Sequence, residues 1–319
     1  RTRIATLFDR LRERAAPAVV ARRLESQSEY RSYCRQMKEL FAEQRRIERS
    51  LIDRPGEGFR IRGWCASCGQ YSFMNVGFMY AYETDHDGAL LPNWREHVDC
   101  GCGLVNRMRA GIDFFLSEFS PDREADIYIT ERVTPTFRWL NARFPRLVGS
   151  EYFGAESELG REVNGIRNED FTRLTFGDAR FDYVLSFDVL EHVPDPVMAL
   201  REAYRVLRPG GGILFGAPMA IDRYESIVRA RLRADGTVEH LLPPEYHGNP
   251  VDPEGGALCF QYMGWEVLGK MREIGFEAPA IIHYWSRERG YLGRDQFVVV
   301  ARKPAVESSP AGDTRGATQ

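Results

Sequence analysis

Phe181-Asp-Tyr-Val-Leu-Ser-Phe-Asp-Val-Leu-Glu-His-Val-Pro-Asp-Pro196 decides the fold of this 319-residue chain. Its first six residues form an apolar run dense in aromatic and branched side chains, which reads as a buried strand. Asp195 followed by Pro196 is a helix start, with an N-capping carboxylate and a proline at the first helical position. Val197, Leu200, Tyr204 and Leu207 then fall on one helical face. Arg208-Pro-Gly-Gly-Gly212 stops that helix, and Ile213-Leu-Phe215 opens the next strand. A strand, a helix and a second strand joined this closely make a parallel crossover unit.

The pattern extends both ways from this unit. Upstream, Ile127-Tyr-Ile129 reads as a strand, Phe137, Leu140 and Phe144 as a helix face, and Arg146-Leu-Val-Gly149 as a further strand. Downstream, Trp265, Leu268 and Ile274 lie on a helix ended by Gly275. Ala280-Ile-Ile-His-Tyr284 and Gln296-Phe-Val-Val-Val-Ala301 follow as strands separated only by a loop, so they should pair antiparallel. The fold class is therefore α/β, a doubly wound, mostly parallel sheet. Ahead of it, Tyr30, Cys34, Met37 and Phe41, with Leu40, Ile47 and Leu51, mark one or two amphipathic helices, broken at Pro17 and closed by the turn Asp53-Arg-Pro-Gly-Glu-Gly58. The expected division is a helical segment over 1–53, a cysteine-bearing segment over 54–112, the α/β domain over 113–303 and a disordered tail over 304–319. An insertion over about 220–264 would form a lid.

Composition sets the outer bounds. Hydrophobic residues are 43% and charged residues 28% of the chain, which is ordinary globular usage and excludes wholesale disorder. No apolar run is long enough to span a membrane as a helix. The chain starts at Arg1 rather than Met, as a trimmed piece would, and no signal peptide opens it, so a cytoplasmic location is expected. The net charge of -3 weighs against a dedicated nucleic-acid binder. Charge is uneven, since residues 1–53 carry 13 Lys/Arg against 8 Asp/Glu. That basic leading helix is either a solvated face or a partner arm, including a homo-oligomer contact.

Four of the six cysteines form two tight pairs, Cys65-Ala-Ser-Cys68 and Cys100-Gly-Cys102. Glycines 69, 101 and 103 supply the turns. Two such knuckles bring four thiolates together, and four thiolates favour a closed, structural zinc site with no open position for water. Arg60, Arg62, Arg95, Arg107 and Arg109 flank these pairs, with Glu83, Asp85, Asp87, Glu96 and Asp99 offsetting them.

The quoted stretch, together with Leu200-Arg-Glu-Ala-Tyr-Arg-Val-Leu-Arg-Pro-Gly-Gly-Gly212, strongly resembles the second half of class I S-adenosylmethionine (SAM)-dependent methyltransferases. The resemblance covers about residues 122–303, and the preceding cysteine segment is similar to that of a bacterial group of zinc-containing methyltransferase-like proteins. It implies a cofactor at the carboxyl ends of the strands, where open α/β sheets hold ligands. Glu151 matches the family's acidic residue for the ribose hydroxyls, Asp170 the acceptor of the adenine amine, and Phe171 a residue flanking the ring. Ser186 to Asp188 would face the reacting methyl group.

One departure stands out. The family's first loop is glycine-rich, whereas here Ile129 is followed by Thr130-Glu-Arg-Val-Thr-Pro-Thr136, without glycine. Either the hydroxyls of Thr130 and Thr134 replace backbone contacts to the methionine carboxylate and amine, with Glu131 meeting the amine, or the pocket no longer takes SAM in the usual way. A hydroxyl acceptor needs a base. His192 is placed for that role by the resemblance, and His247, in the polar and proline-stiffened loop Glu239-His-Leu-Leu-Pro-Pro-Glu-Tyr-His-Gly-Asn-Pro250, is the alternative. Arg223, Arg229 and Arg231 are candidates for holding a substrate phosphate or carboxylate. The expected function is methyl transfer to the hydroxyl or amine of a small molecule, such as a sugar, glycan precursor or natural product. RNA methylation with the ribbon gripping nucleic acid is a competing reading, against which the absence of an aromatic and basic patch counts. A scaffold repurposed for binding or for another reaction is a third.

Overall fold

The computed structural model describes residues 17–305. Expectations for 1–16 and for most of the tail lie outside the described residues.

A seven-stranded sheet organises the chain, in the order β1 (Val20–Leu24), β17 (Glu277–Trp285), β18 (Phe297–Arg302), β10 (Leu207–Gly216), β9 (Phe181–Phe187), β5 (Ile127–Ile129) and β6 (Leu147–Gly149). β10, β9, β5 and β6 run parallel, while β18 is antiparallel to β10 and to β17. Helices cover both faces. On one face, α1 (Gln27–Gln36), α5 (Pro196–Val206) and α6 (Glu266–Ile274) pack over Val184, Phe215 and Ile281. On the other, α3 (Asn106–Phe119) and α4 (Pro135–Asn141) pack over Leu185, Leu214 and Ile282. Alternate residues of each central strand thus feed opposite cores, which is why β9 reads as an unbroken apolar run. Asp195 caps α5 as expected, accepting from the amides of Val197 and Met198 at 3.0 and 3.1 Å.

Two local readings need correction. Val20–Leu24, expected within a helical segment, is a strand paired antiparallel with β17 from Val20↔Trp285 to Leu24↔Ile281. It covers what would otherwise be an open sheet edge, a long-range gain that local helical pattern does not register. Arg208–Gly212, expected as a plain stop, lies within β10 as a bulge, because the register on β9 jumps from Leu207↔Phe181 to Gly212↔Tyr183. A Cβ on Gly212 would sit 2.3 Å from Phe119 Cε1, so glycine here admits α3 onto the sheet.

The leading helices α1 and α2 (Lys38–Ser50) pack on the chain's own sheet. The Tyr30 ring lies 5.5 Å from Trp265, and Tyr33 and Phe41 both abut His283. The indole of Trp285 donates to Glu48 Oε1 at 2.7 Å. The apolar stripe of these helices therefore packs within the chain.

The cysteine segment is a three-stranded antiparallel sheet of β2 (Phe59–Cys65), β3 (Gln70–Val76) and β4 (Val98–Cys100). Arg109 on α3 ties it to the main sheet. This fully buried guanidinium donates to the carbonyls of Val98, Arg289 and Gly290 at 3.2, 2.6 and 3.2 Å.

Smaller elements complete the chain. β7 (Glu162–Val163) and β8 (Ile166–Arg167) form a hairpin after β6. The insertion holds three short ladders: β11 (Ile227–Val228) with β16 (Gln261–Tyr262), β12 (Ala230–Leu232) with β13 (Val238–His240), and β14 (Tyr246–His247) with β15 (Ala257–Leu258). It folds back onto the 3-10 turn Leu190–His192, where Phe260 N donates to Glu191 O at 2.8 Å.

Candidate active site

The loop between β5 and α4 makes up for its lack of glycine with side chains. Thr130 donates its hydroxyl to Ser186 Oγ at 3.0 Å, tying the carboxyl ends of β5 and β9 together, and both residues are buried. Thr134 caps α4 by accepting from Phe137 N at 3.1 Å. Glu151 Oε1 accepts from the amides of Arg132 and Val133 at 2.7 and 3.1 Å, so a carboxylate from the end of β6 organises the loop backbone. Gly149, on the neighbouring strand β6, gives this loop room. A Cβ there would meet Glu131 O at 2.6 Å and the Phe137 ring at 2.5 Å.

Glu131 is the energetically unfavourable member of this arrangement. It is buried, its Oε1 has no hydrogen-bond partner among the described residues, and burial pushes its carboxyl up to about 7, against a lowering by Arg107 and by the Thr134 hydroxyl. Burial also raises Glu151, opposed by the two loop amides.

The residues expected on the adenine side sit differently. Asp170 closes a turn, accepting from Thr172 N at 2.9 Å, Thr172 Oγ1 at 2.6 Å and Arg173 Nε at 3.1 Å. Phe171 is 4% exposed and packs into the core with Leu174 and Phe181. It offers no ring face to a ligand in this structure, which corrects the expectation. The cause is the Asp170 turn, which directs the next side chain inward.

Asp188, at the end of β9, adopts a left-handed backbone conformation (φ 52°). Strain of this kind is found where surrounding contacts over-determine a site. Here the contacts are two guanidinium groups: Arg95 from the cysteine segment and Arg107, whose Nη1 lies 2.6 Å from Asp188 Oδ2. Glu96 pairs with both arginines. The pair of guanidinium groups holds the Asp188 carboxyl below its usual range despite burial. In the sequence both arginines stand out only as neighbours of the cysteines. Their convergence on Asp188 depends on packing between segments far apart in the chain, for which the sequence carries no local signal.

His192 and His247, expected as alternatives, are brought together with ring centroids 4.9 Å apart. His192 Nδ1 lies 2.9 Å from Leu258 O, and His247 Nε2 lies 3.0 Å from Glu245 Oε1. Between them is Glu191, fully buried, with neither carboxylate oxygen hydrogen-bonded among the described residues. Burial, reinforced by Asp188, pushes Glu191 up to about 8, and burial lowers His192. Glu191 is not among the residues the sequence singled out, although an acidic residue beside a candidate histidine was the available cue. Arg229 pairs with Glu245 at 2.9 Å, whereas Arg231 and Arg223 are exposed. His240 is also exposed.

The four paired cysteines cluster. Cys65 Sγ and Cys102 Sγ are 3.9 Å apart, and Cys68 Sγ and Cys100 Sγ 3.8 Å, with all four sulfurs within 4.8 Å of one another. These spacings exclude disulfides, whose sulfurs are about 2.05 Å apart. Gly69 and Gly103 take positive φ in the two turns. The outer face of the hairpin does carry an aromatic and basic patch, contrary to expectation: Arg60 lies over Phe73 and Arg62 over Tyr71, at 5.5 and 5.0 Å. Alternation along β2 and β3 was the signal that would have found it.

Residues 136–215 match the family model described as a methyltransferase domain. Among known proteins, the chain is 23% identical over 184 residues to the methyltransferase phqN of Penicillium fellutanum, covering 58% of this chain and 46% of that protein. It is 45% identical over 101 residues to the 27-O-demethylrifamycin SV methyltransferase of Amycolatopsis mediterranei, covering 29% and 37%. The chain thus spans less than half the length of these relatives. Among solved structures it is similar to the 1,6-didemethyltoxoflavin-N1-methyltransferase of Burkholderia thailandensis, at 18% identity and a TM-score of 0.38, covering 62% of this chain and 78% of that one. On this match, the sheet domain holds a methyltransferase domain over residues 136–215.

Proposed function

We propose that this protein transfers a methyl group from SAM to a hydroxyl or amine of a small molecule. The observation that carries the reading is the group of buried, incompletely paired polar side chains at the carboxyl ends of β5 and β9, where this sheet type receives its ligand. The relatives include an enzyme named for a natural product, which favours that acceptor class.

The side chains fit the cofactor at its cationic end. Glu131 Oε1, buried and unpaired, suits the ammonium group, and Glu151 Oε2, left over when Oε1 binds the loop, suits ribose hydroxyls. Thr130 and Thr134 hold the loop in shape, and Asp170 holds the turn beyond it. SAM supplies an electrophilic methyl group, already activated on sulfur. The protein's own contribution is alignment and exclusion of water. Arg95 and Arg107 fix Asp188 and Thr130 fixes Ser186 at the end of β9, and the insertion that carries His247 shields the acceptor side over Glu191 and His192. In this reading those three residues handle the acceptor's oxygen or nitrogen.

The cysteine cluster supports structural zinc. A zinc ion bonded to four thiolates at about 2.3 Å sets sulfur–sulfur edges of about 3.8 Å, which agrees with the spacings of Cys65, Cys68, Cys100 and Cys102. Such an ion would hold together the two knuckle turns that follow β2 and β4.

The patch of Arg60, Arg62, Tyr71 and Phe73 favours a second reading, RNA methylation, because stacking rings beside cations suit single-stranded bases. The test is to incubate the full chain with methyl-labelled SAM and a cell extract, then separate RNA from low-mass solutes. Label in the low-mass fraction is expected. Label confined to RNA would replace the first reading by the second, and no label in either fraction would overturn both.

A further inference from the structure

Three donors meet at the turn after β9. Glu191 Oε1 lies 3.6 Å from His192 Nε2 and 3.9 Å from His247 Nδ1. The outer nitrogens settle which atoms carry protons. His192 Nδ1 faces a peptide carbonyl, which can only accept, so Nδ1 carries the hydrogen and Nε2 presents a lone pair. His247 Nε2 faces Glu245, a carboxylate also engaged by Tyr262 and Arg229, so Nε2 donates and Nδ1 presents a lone pair. Glu191 is fully buried, and neither of its oxygens has a hydrogen-bond partner among the described residues. Lone pairs from three side chains therefore converge beyond hydrogen-bonding distance, with no other donor between them among the described residues. A buried carboxylate left in that state is costly, and a cation relieves it.

We propose that Glu191, His192 and His247 bind a divalent transition-metal ion, at a site separate from the four cysteines. Two imidazoles and one carboxylate suit ions such as manganese, iron, cobalt, nickel or zinc. All three donor atoms lie within 4.8 Å of one another. Such a triangle has a centre roughly 2.4 Å from each, slightly longer than ordinary bonds to nitrogen and oxygen, so a small contraction completes the site. The outer contacts to Leu258 and Glu245 are the second layer that orients metal-binding imidazoles. The histidine side chains are 15% and 29% exposed, so the ion is reachable from solvent, and its remaining positions are open to ligand. Resting on the methyl-transfer reading, that ligand is an acceptor bearing a hydroxyl, phenol or carboxylate oxygen. The inner lone pairs of His192 and His247 then hold the ion rather than take a proton directly.

The test titrates the full, zinc-analysed chain with cobalt(II), reading heat and visible spectrum, with SAM titrated in parallel. One equivalent is expected to bind, with d–d bands and no thiolate charge-transfer band. Glu191→Gln and His247→Ala should each weaken binding at least tenfold, while His240→Ala, on the same insertion, leaves it unchanged. His247 lies on the insertion rather than in the core, so that variant keeps the test informative if Glu191→Gln disturbs folding, which circular dichroism reports. Absence of a nitrogen and oxygen cobalt spectrum, or affinity unchanged in both variants, overturns the site. Cobalt binding without SAM binding overturns only the methyl-transfer reading; SAM binding without cobalt binding overturns only the metal site.

Discussion

Replacing Glu131 by Gln should stabilise the protein at high pH and weaken its hold on SAM. The native carboxyl sits near 7 in the fold against an ordinary 4.5, chiefly because burial penalises its charge. A pKa displaced by one pH unit corresponds to about 1.4 kcal/mol, so the ionised group destabilises the fold by on the order of 3 kcal/mol at pH 8. The sign follows from proton counting. Between pH 4.5 and 7 the folded state keeps a proton that the unfolded chain has released, so stability falls with rising pH through that window. The neutral amide of the Glu131→Gln variant carries no such dependence. Urea unfolding at half-unit pH steps should show variant and native protein alike near pH 4, diverging to a variant advantage of about 2–3 kcal/mol by pH 8. SAM binding should run the opposite way, tightening in the native protein as pH rises through 7 and staying weak and flat in the variant. A stability difference that is flat with pH, or a variant that binds SAM as well as the native chain, would refute the assignment of Glu131 as an ionisable group held for the cofactor's cationic end.

Other outcomes follow from the same geometry. Asp188→Ala leaves Arg95 and Arg107 with Glu96 as their remaining shared partner, and losing these part-buried charged contacts should destabilise by about 1–3 kcal/mol in urea unfolding. Asp188→Asn, which keeps hydrogen-bond acceptance, should lose less. Gly149→Ala forces a methyl group against Glu131 O and the Phe137 ring, and should lower stability by about 1–3 kcal/mol and weaken SAM binding with it. Cys65→Ser should lower the zinc content read by elemental analysis and disturb the knuckle turns, while leaving the main-sheet circular dichroism largely intact.

The sheet was legible because its information is local. Phe181–Ser186, Asp195-Pro196 and the α5 face each announce an element within a few residues, and the loop between the last two strands is too short for a crossover. The edge strand β1 was not legible, since its five residues become a strand only by pairing with β17, near the other end of the chain. At the site, the spacing of Thr130 to Glu151 and the two cysteine pairs could be read directly. The fate of individual side chains could not. Phe171 turns inward because Asp170 commits both oxygens to a local turn, and Thr134 is occupied as a helix cap. Arg95, Arg107 and Glu191 gain their meaning from what surrounds them once the cysteine segment, β9 and the insertion meet. That meeting is a property of packing rather than of any one segment's pattern.

Calorimetric titration of the folded, zinc-loaded chain with SAM and with S-adenosylhomocysteine tests the central claim most directly. The account predicts one site per chain with micromolar affinity for both, lost in Glu151→Ala, which removes the carboxylate organising the loop after β5. Absence of binding by either compound to folded protein would contradict the assignment of the carboxyl ends of β5 and β9 as a methyl-donor pocket.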